Sequence, residues 1–381
     1  MITARIRIGA EHRGPAEVSS IQELQAGCKL PAMLDLRFVS RSELKDKEWD
    51  EEAKLWDRPK VDRETLQRLN KRSTLEGSVR VAVHLGLIVG TGWLTVFAGR
   101  QHILLAVIPF LAYCWLVGFL HGIEHEMRHK IVFPHRLDWL SDGIYFLIHV
   151  LWKAGSRNQR VSHVIHHRYT MVRGVDPEPA FPEDLTARWV RRELLSMLFT
   201  LVTLGILDFF KAMWALIQRT RGRLQPMIQV RCSEKDLIFI QRESFAVLII
   251  NMAALAAFVV LWRWDLIIVT MLGPQIGHAI GAFYHRTEHI AMMYNSTDQR
   301  LCTRGVKVSP ITKFFYGGLD EHVEHHLFPG VPSRNLTKLR QALDISIPER
   351  KKLIACWKEI YAIAKYKETH PDEVFVPAGY A

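Results

Sequence analysis

Four apolar runs constrain this chain more than any other feature: Val81–Ala98, Ile103–Leu120, Ser244–Trp262 and Leu266–Tyr284. A helix that crosses a bilayer needs about 17–25 mostly apolar residues, and it satisfies every backbone polar group internally. All four runs meet that length. The first two are separated only by GRQH and the last two only by RWD, so they pair as two tight helical hairpins. A soluble helical protein with a large core would not need four such uninterrupted runs.

A fifth apolar run, Leu194–Ile217, is assigned by counting sides. If it spanned the membrane, Arg219, Arg221, Arg223, Arg231, Lys235 and Arg242 would lie outside, against the tendency of basic loops to stay cytoplasmic. It also carries Asp208 and Lys211, which are costly at mid-bilayer. The run is therefore expected to be an interfacial or re-entrant helix. Two hairpins then leave both termini on the cytoplasmic face of a multi-pass membrane protein, in a bacterial inner membrane or the endoplasmic reticulum. The formal charge of +11 fits this arrangement, because Lys and Arg flank the apolar runs. They do not line an aromatic-studded groove of the kind that binds nucleic acid. The expected fold is an all-α integral membrane protein with two transmembrane hairpins (four spans), an interfacial helix and a cytosolic helical cap. Residues 1–80 read as a charged cytoplasmic segment, 81–345 as the membrane catalytic domain and 346–381 as a cytoplasmic tail.

Histidines supply the chemistry. The five cysteines form no CxxC pair, which argues against a cysteine-ligated zinc or iron–sulfur site. The eighteen histidines instead cluster. HGIEHEMRH offers His121, His125 and His129; residues four apart share a helical face, so His125 and His129 can hold one metal. SHVIHHRYT brings His163, His166 and His167 onto one face, and DEHVEHHLFPG repeats that HxxHH spacing with His322, His325 and His326. Packed neutral imidazoles each need a partner, and metal ligation supplies it better than a structural role does. YHRTEH adds His285 and His289, of which His289 is preferred for its neighbour Glu288. Nine imidazoles (His125, His129, His163, His166, His167, His289, His322, His325 and His326) exceed what one ion uses and imply two. His121 and His285 remain alternative ligands. Glu126, Glu288 and Glu324 are candidates to accept the second ring N–H of a ligand and orient it. No catalytic side chain beyond the ligands is assigned.

HEMRH, HVIHH and HVEHH resemble the three histidine boxes of the membrane fatty acid desaturase and hydroxylase superfamily, in order and in separation. HEMRHK and HRTEH, together with HHRYTMVRGVDPEP, look particularly like alkane hydroxylases within it, whereas HHLFP after the last box reads more like the desaturases. The resemblance covers roughly residues 80–345. It implies a non-haem di-iron centre carried by the cap, two iron ions as cofactor, O2 as co-substrate and a lipid-like substrate. It also implies an external electron donor of ferredoxin, rubredoxin or cytochrome b5 type, since no HPGG segment is present in the sequence. The activity expected is that of a fatty acid (acyl-lipid) desaturase, the alternative being a hydroxylase or monooxygenase of an alkane, fatty acyl or other lipid-like chain. HEMRH also satisfies HExxH, so a membrane zinc protease using His125, Glu126 and His129 is a competing class; it leaves both HxxHH boxes unexplained. A metal transporter, which would place ligands near the midplane, is another.

Overall fold

The computed structural model of the protein describes residues 36–40, 59–179, 181–182 and 184–380. Most of the N-terminal segment, including residues 1–35 and 41–58, lies outside the described residues. Among the described residues the fold is helical apart from two small ladders. In one of them β1 (Arg37–Ser40) pairs antiparallel with β2 (Glu373–Val376).

A short helix, α1 (Arg63–Leu69), precedes the first span, α2 (Thr74–Gln101). Ser73 starts α2 by accepting the Glu76 N–H at 3.3 Å, which satisfies one of the free donors of the first turn. Only His102 separates α2 from the second span, α3 (Ile103–Arg128), and its ring accepts the Leu104 N–H at 3.3 Å. At 26 residues α3 is about 39 Å long, against a hydrocarbon core of about 30 Å. Its last turns therefore project beyond the apolar layer, and these turns carry His121, His125 and the following His129.

Two elements follow α3: α4 (Asp138–Trp152) and α5 (Ser156–Arg168). The run expected to be an interfacial or re-entrant helix is broken into two, α6 (Ala187–Val202) and α7 (Ile206–Thr220), whose axes are bent by 103°. Gly205, at φ 72°, makes the turn, and a Cβ there would stand 2.8 Å from Gln275 Cβ in the fourth span. The charged residues near the bend are paired: Asp208 accepts the Thr200 hydroxyl at 2.7 Å and the Lys211 ammonium at 3.0 Å. The third span is α8 (Glu234–Val260). The fourth runs over residues 264–288, with a π-helical turn at Ile267–Leu272 leading into α9 (Gly273–His285).

The spans show the burial pattern of a lipid-bathed bundle. Val89, Trp93, Ile108 and Val260 are exposed, while Cys114, Val117, Leu120 and Ile123 of α3 form the core with Tyr113 and Ile276. Helices α3 and α9 come close because small residues meet: a Cβ on Gly118 would stand 2.4 Å from the Gly277 carbonyl oxygen. The cap is completed by α10 (His322–Leu327) and α11 (Leu353–Lys367). Packing continues across residue 345: Trp357 and Ile360 of α11 share a core cluster with Val190 and Met197 of α6.

This arrangement predicts which loops share a side. In vesicles of a protein without its native cysteines, cysteines placed at the exposed positions Val230 and Lys338 should react together with an impermeant maleimide. A cysteine at the exposed Trp262 should react only from the opposite side. Val230 should also lie opposite a cysteine at the exposed Gln101, and labelling of 101 and 230 from one side would make α6–α7 a full crossing.

Candidate metal centre

The nine clustered histidines converge at one end of the bundle, in two groups. His125, His129, His163, His167 and His325 bring one ring nitrogen each within 4.8 Å of one another. His166, His289 and His326 do the same, and His322 joins Glu288 and His289. The helix period explains the division. Pairs four residues apart stay together: 125 with 129, 163 with 167, and 322 with 326. The odd member of each HxxHH box crosses over, so α5 sends His166 to the second group and α10 sends His325 to the first. His289 reaches its place because the fourth span ends in a tight turn at Arg286–Glu288. Gly317 and Gly318 set the approach of α10: both have positive φ, and a Cβ on Gly318 would stand 2.3 Å from Ser333 Cβ.

Ring nitrogens face ring nitrogens. In the first group His163 Nε2 lies 2.9 Å from His129 Nε2 and 3.0 Å from His167 Nε2, and His325 Nε2 is 3.1 Å from His167 Nε2. In the second, His322 Nε2 lies 3.1 Å from the Nε2 atoms of both His289 and His326. The opposite nitrogens fix the tautomers. His163 Nδ1–H donates to Glu178 at 3.0 Å and His166 Nδ1–H to Asp176 at 2.8 Å. His289 Nδ1–H donates to the Cys302 carbonyl at 3.0 Å, and His326 Nδ1–H to the Thr170 hydroxyl at 3.2 Å. With the proton on Nδ1, each Nε2 presents a lone pair inward. His125 Nε2 is buried without a hydrogen-bond partner among the described residues.

Burial holds His163, His167, His322, His325 and His326 well below the ordinary histidine range, and burial with the nearby Arg128 guanidinium takes His129 to about 3. Burial also acts to lower His166, but the Asp176 carboxylate outweighs it and the net shift is upward. Buried imidazoles whose Nε2 atoms converge, four of them with the proton engaged on Nδ1, are a metal-ligand set. Two nitrogens each about 2.1 Å from one ion at a right angle stand about 3.0 Å apart, which is the spacing found here. The residues present fit two metal ions, and imidazole with at most one carboxylate suits iron among the candidates.

The other candidates have different neighbours. His285 packs against His121, with ring centroids 4.9 Å apart, outside both groups. Glu288 does face the second group: one oxygen is 3.3 Å from His322 Nε2, and the other accepts the Tyr316 hydroxyl at 2.5 Å. Glu126 accepts the Ser333 N–H at 2.9 Å and pairs with Arg80, and Glu324 pairs with Arg340 at 2.7 Å. The carboxylates that orient ligands are Asp176 and Glu178, in the loop after the second box. Asp176 is itself held by the Met171 and Glu178 N–H groups at 2.8 and 3.0 Å. The signal for them was the acid–Pro–acid–Pro order of VDPEP shortly after HVIHH. Arg304 fixes the loop bearing His289 by donating to the Thr287 and Ile290 carbonyls at 2.6 and 3.0 Å. A cavity of about 750 Å3 opens against both groups, with His125, His163, His166, His289 and His322 on its wall.

A model of the family described as fatty acid desaturase matches residues 98–355, a stretch that contains all nine histidines. An acyl-lipid (9-3)-desaturase from Physcomitrium patens is 30% identical over 87 residues, which make up 22% of this chain and 16% of that protein. The chain therefore matches a small part of that relative's length.

Removing an acid that fixes a ring's tautomer should loosen the metal. Asp176→Asn and Glu178→Gln should each weaken iron retention about ten- to a hundredfold in a chelator titration. Glu324→Gln, at a carboxylate that pairs with Arg340, should leave retention unchanged. His289→Ala should lose iron from the second group, and His285→Ala should keep both ions; full occupancy in His289→Ala would reject its assignment.

Proposed function

The chain belongs to the fatty acid desaturase family, and from that premise we propose that it is an O2-dependent di-iron desaturase of fatty acyl chains. The observation that carries this reading is the pair of histidine groups whose lone pairs converge beside one cavity. When bound, the irons supply activation of O2 for removal of hydrogen from an unactivated C–H bond.

The chain's own residues do the rest. Nine Nε2 lone pairs hold the ions, and Asp176, Glu178, Thr170 and the Cys302 carbonyl keep the ring protons on Nδ1. Tyr316 holds Glu288 turned toward His322. The cavity brings a substrate chain against the ligand set, and Trp152, Phe181, Met197 and Phe199 give part of its wall an apolar character that limits water. Insertion of a double bond removes two electrons and two protons from the substrate. With two further electrons and two protons supplied from outside, O2 is reduced to two waters. The electrons come from a separate carrier of ferredoxin, rubredoxin or cytochrome b5 type. Hydroxylation uses the same two donor electrons and leaves one oxygen in the product. The Lys and Arg of the loops on the cap's side support a cytoplasmic cap.

Use of HEMRH as a zinc-protease motif is disfavoured. Glu126, which would have to activate water, is already bound to Arg80 and the Ser333 N–H.

Mass spectrometry of lipids from cells expressing the protein, beside a His166→Ala control, tests the reading. A product lighter by two hydrogens and absent in the control is expected. A product heavier by one oxygen would make the enzyme a hydroxylase, and no His166-dependent change in any lipid would overturn the proposal.

A further inference from the structure

The cavity beside the histidines carries more charge than a plain hydrocarbon requires. Five cations line it: Arg128, Lys153, Lys211, Arg219 and Arg286. Three of them face carboxylates. Arg128 pairs with Glu124 at 2.6 Å, Lys211 with Asp208 at 3.0 Å, and Arg286 with Glu193. Lys153, almost fully buried, donates to the Leu151 and Thr270 carbonyls at 2.7 and 2.6 Å. Arg219 differs from all of these. It stands in the last turn of α7, partly buried, and its guanidinium has no hydrogen-bond or ion-pair partner among the described residues.

A guanidinium offers five N–H donors in a planar fork that matches a carboxylate or a phosphate. One that is withdrawn from water and left without an anion loses solvation and gains nothing in return. Three of the neighbouring cations have a carboxylate and Lys153 has two carbonyls, whereas Arg219 has neither among the described residues. We propose that the cavity takes an amphiphile with an anionic headgroup, a carboxylate or a phosphate, and that Arg219 binds that headgroup while the aliphatic part lies toward the histidines. This rests on the reading of the cavity as the substrate site and narrows the substrate class from lipids in general to anionic ones. Neutral alkanes and carotenoids have no group for Arg219.

Binding of laurate, dodecyl phosphate and dodecanol to the purified full-length protein in neutral detergent tests this, because it needs no turnover. The wild type should bind at least one of the two anionic amphiphiles about tenfold or more tighter than dodecanol, and the stronger of them identifies the headgroup. Arg219→Gln should lose that preference and keep its dodecanol affinity, iron content and thermal midpoint. Arg219→Lys should keep a reduced preference, because charge is retained and the fork is lost. It carries the comparison if the Gln variant fails to fold. Anion affinities equal to those of the wild type in both variants, or in the Lys variant alone if it is the only one to fold, would overturn the assignment. So would a wild type that prefers dodecanol or binds none of the three. Lipid products that still depend on His166 would in those cases leave the di-iron reading standing.

Discussion

Imidazole lone pairs pointed at one another from about 3 Å are the constraint on which the rest of this structure depends. Two such nitrogens repel unless a proton or a cation lies between them. On four of the rings the proton is held on the far side, by Asp176, Glu178, Thr170 and the Cys302 carbonyl. Burial disfavours an added proton as well. A cation bound in each group would resolve the conflict. Metal affinity in such a site is also folding free energy, because an unfolded chain has no preformed ligand set.

The fold delivers nine side chains to one place by economical means. A second span longer than the bilayer is thick carries the first box out on its own overhang. Two short helices, α5 and α10, each contribute to both groups because the HxxHH spacing puts two rings on one line and the third beside it. The fourth span ends next to them, so His289 needs only one tight turn to arrive. Close packing of Gly118 against Gly277 keeps the two spans that bear His125 and lead to His289 in fixed relation. The bent α6–α7 pair then adds part of the cavity wall.

What could be read from the sequence was what is local and periodic. The spans, the two hairpins and the boxes are repeats of 3.6-residue geometry or of plain apolar length. The division of each HxxHH box between two groups was not legible, because it depends on where the other box lies. The orienting acids were sought beside the boxes, at Glu126 and Glu324, but those side chains meet Arg80 and Arg340 brought from distant segments. Asp176 and Glu178 sit in a loop without periodicity, and only the fold returns that loop over α5. The bend at Gly205 depends on the space left by the fourth span, and apolar length alone does not record it. Likewise the stretch after residue 345 reads as a tail, yet Trp357 and Ile360 need the α6 face to bury them.

Two histidine groups imply two ions per chain, one in each. Metal analysis of the purified protein together with Mössbauer spectroscopy tests it most directly. About two irons per chain are expected, in two nitrogen-rich environments, with His166→Ala and His325→Ala each depleting a different one. A single ion per chain, or zinc in place of iron in protein from iron-replete cells, would contradict it.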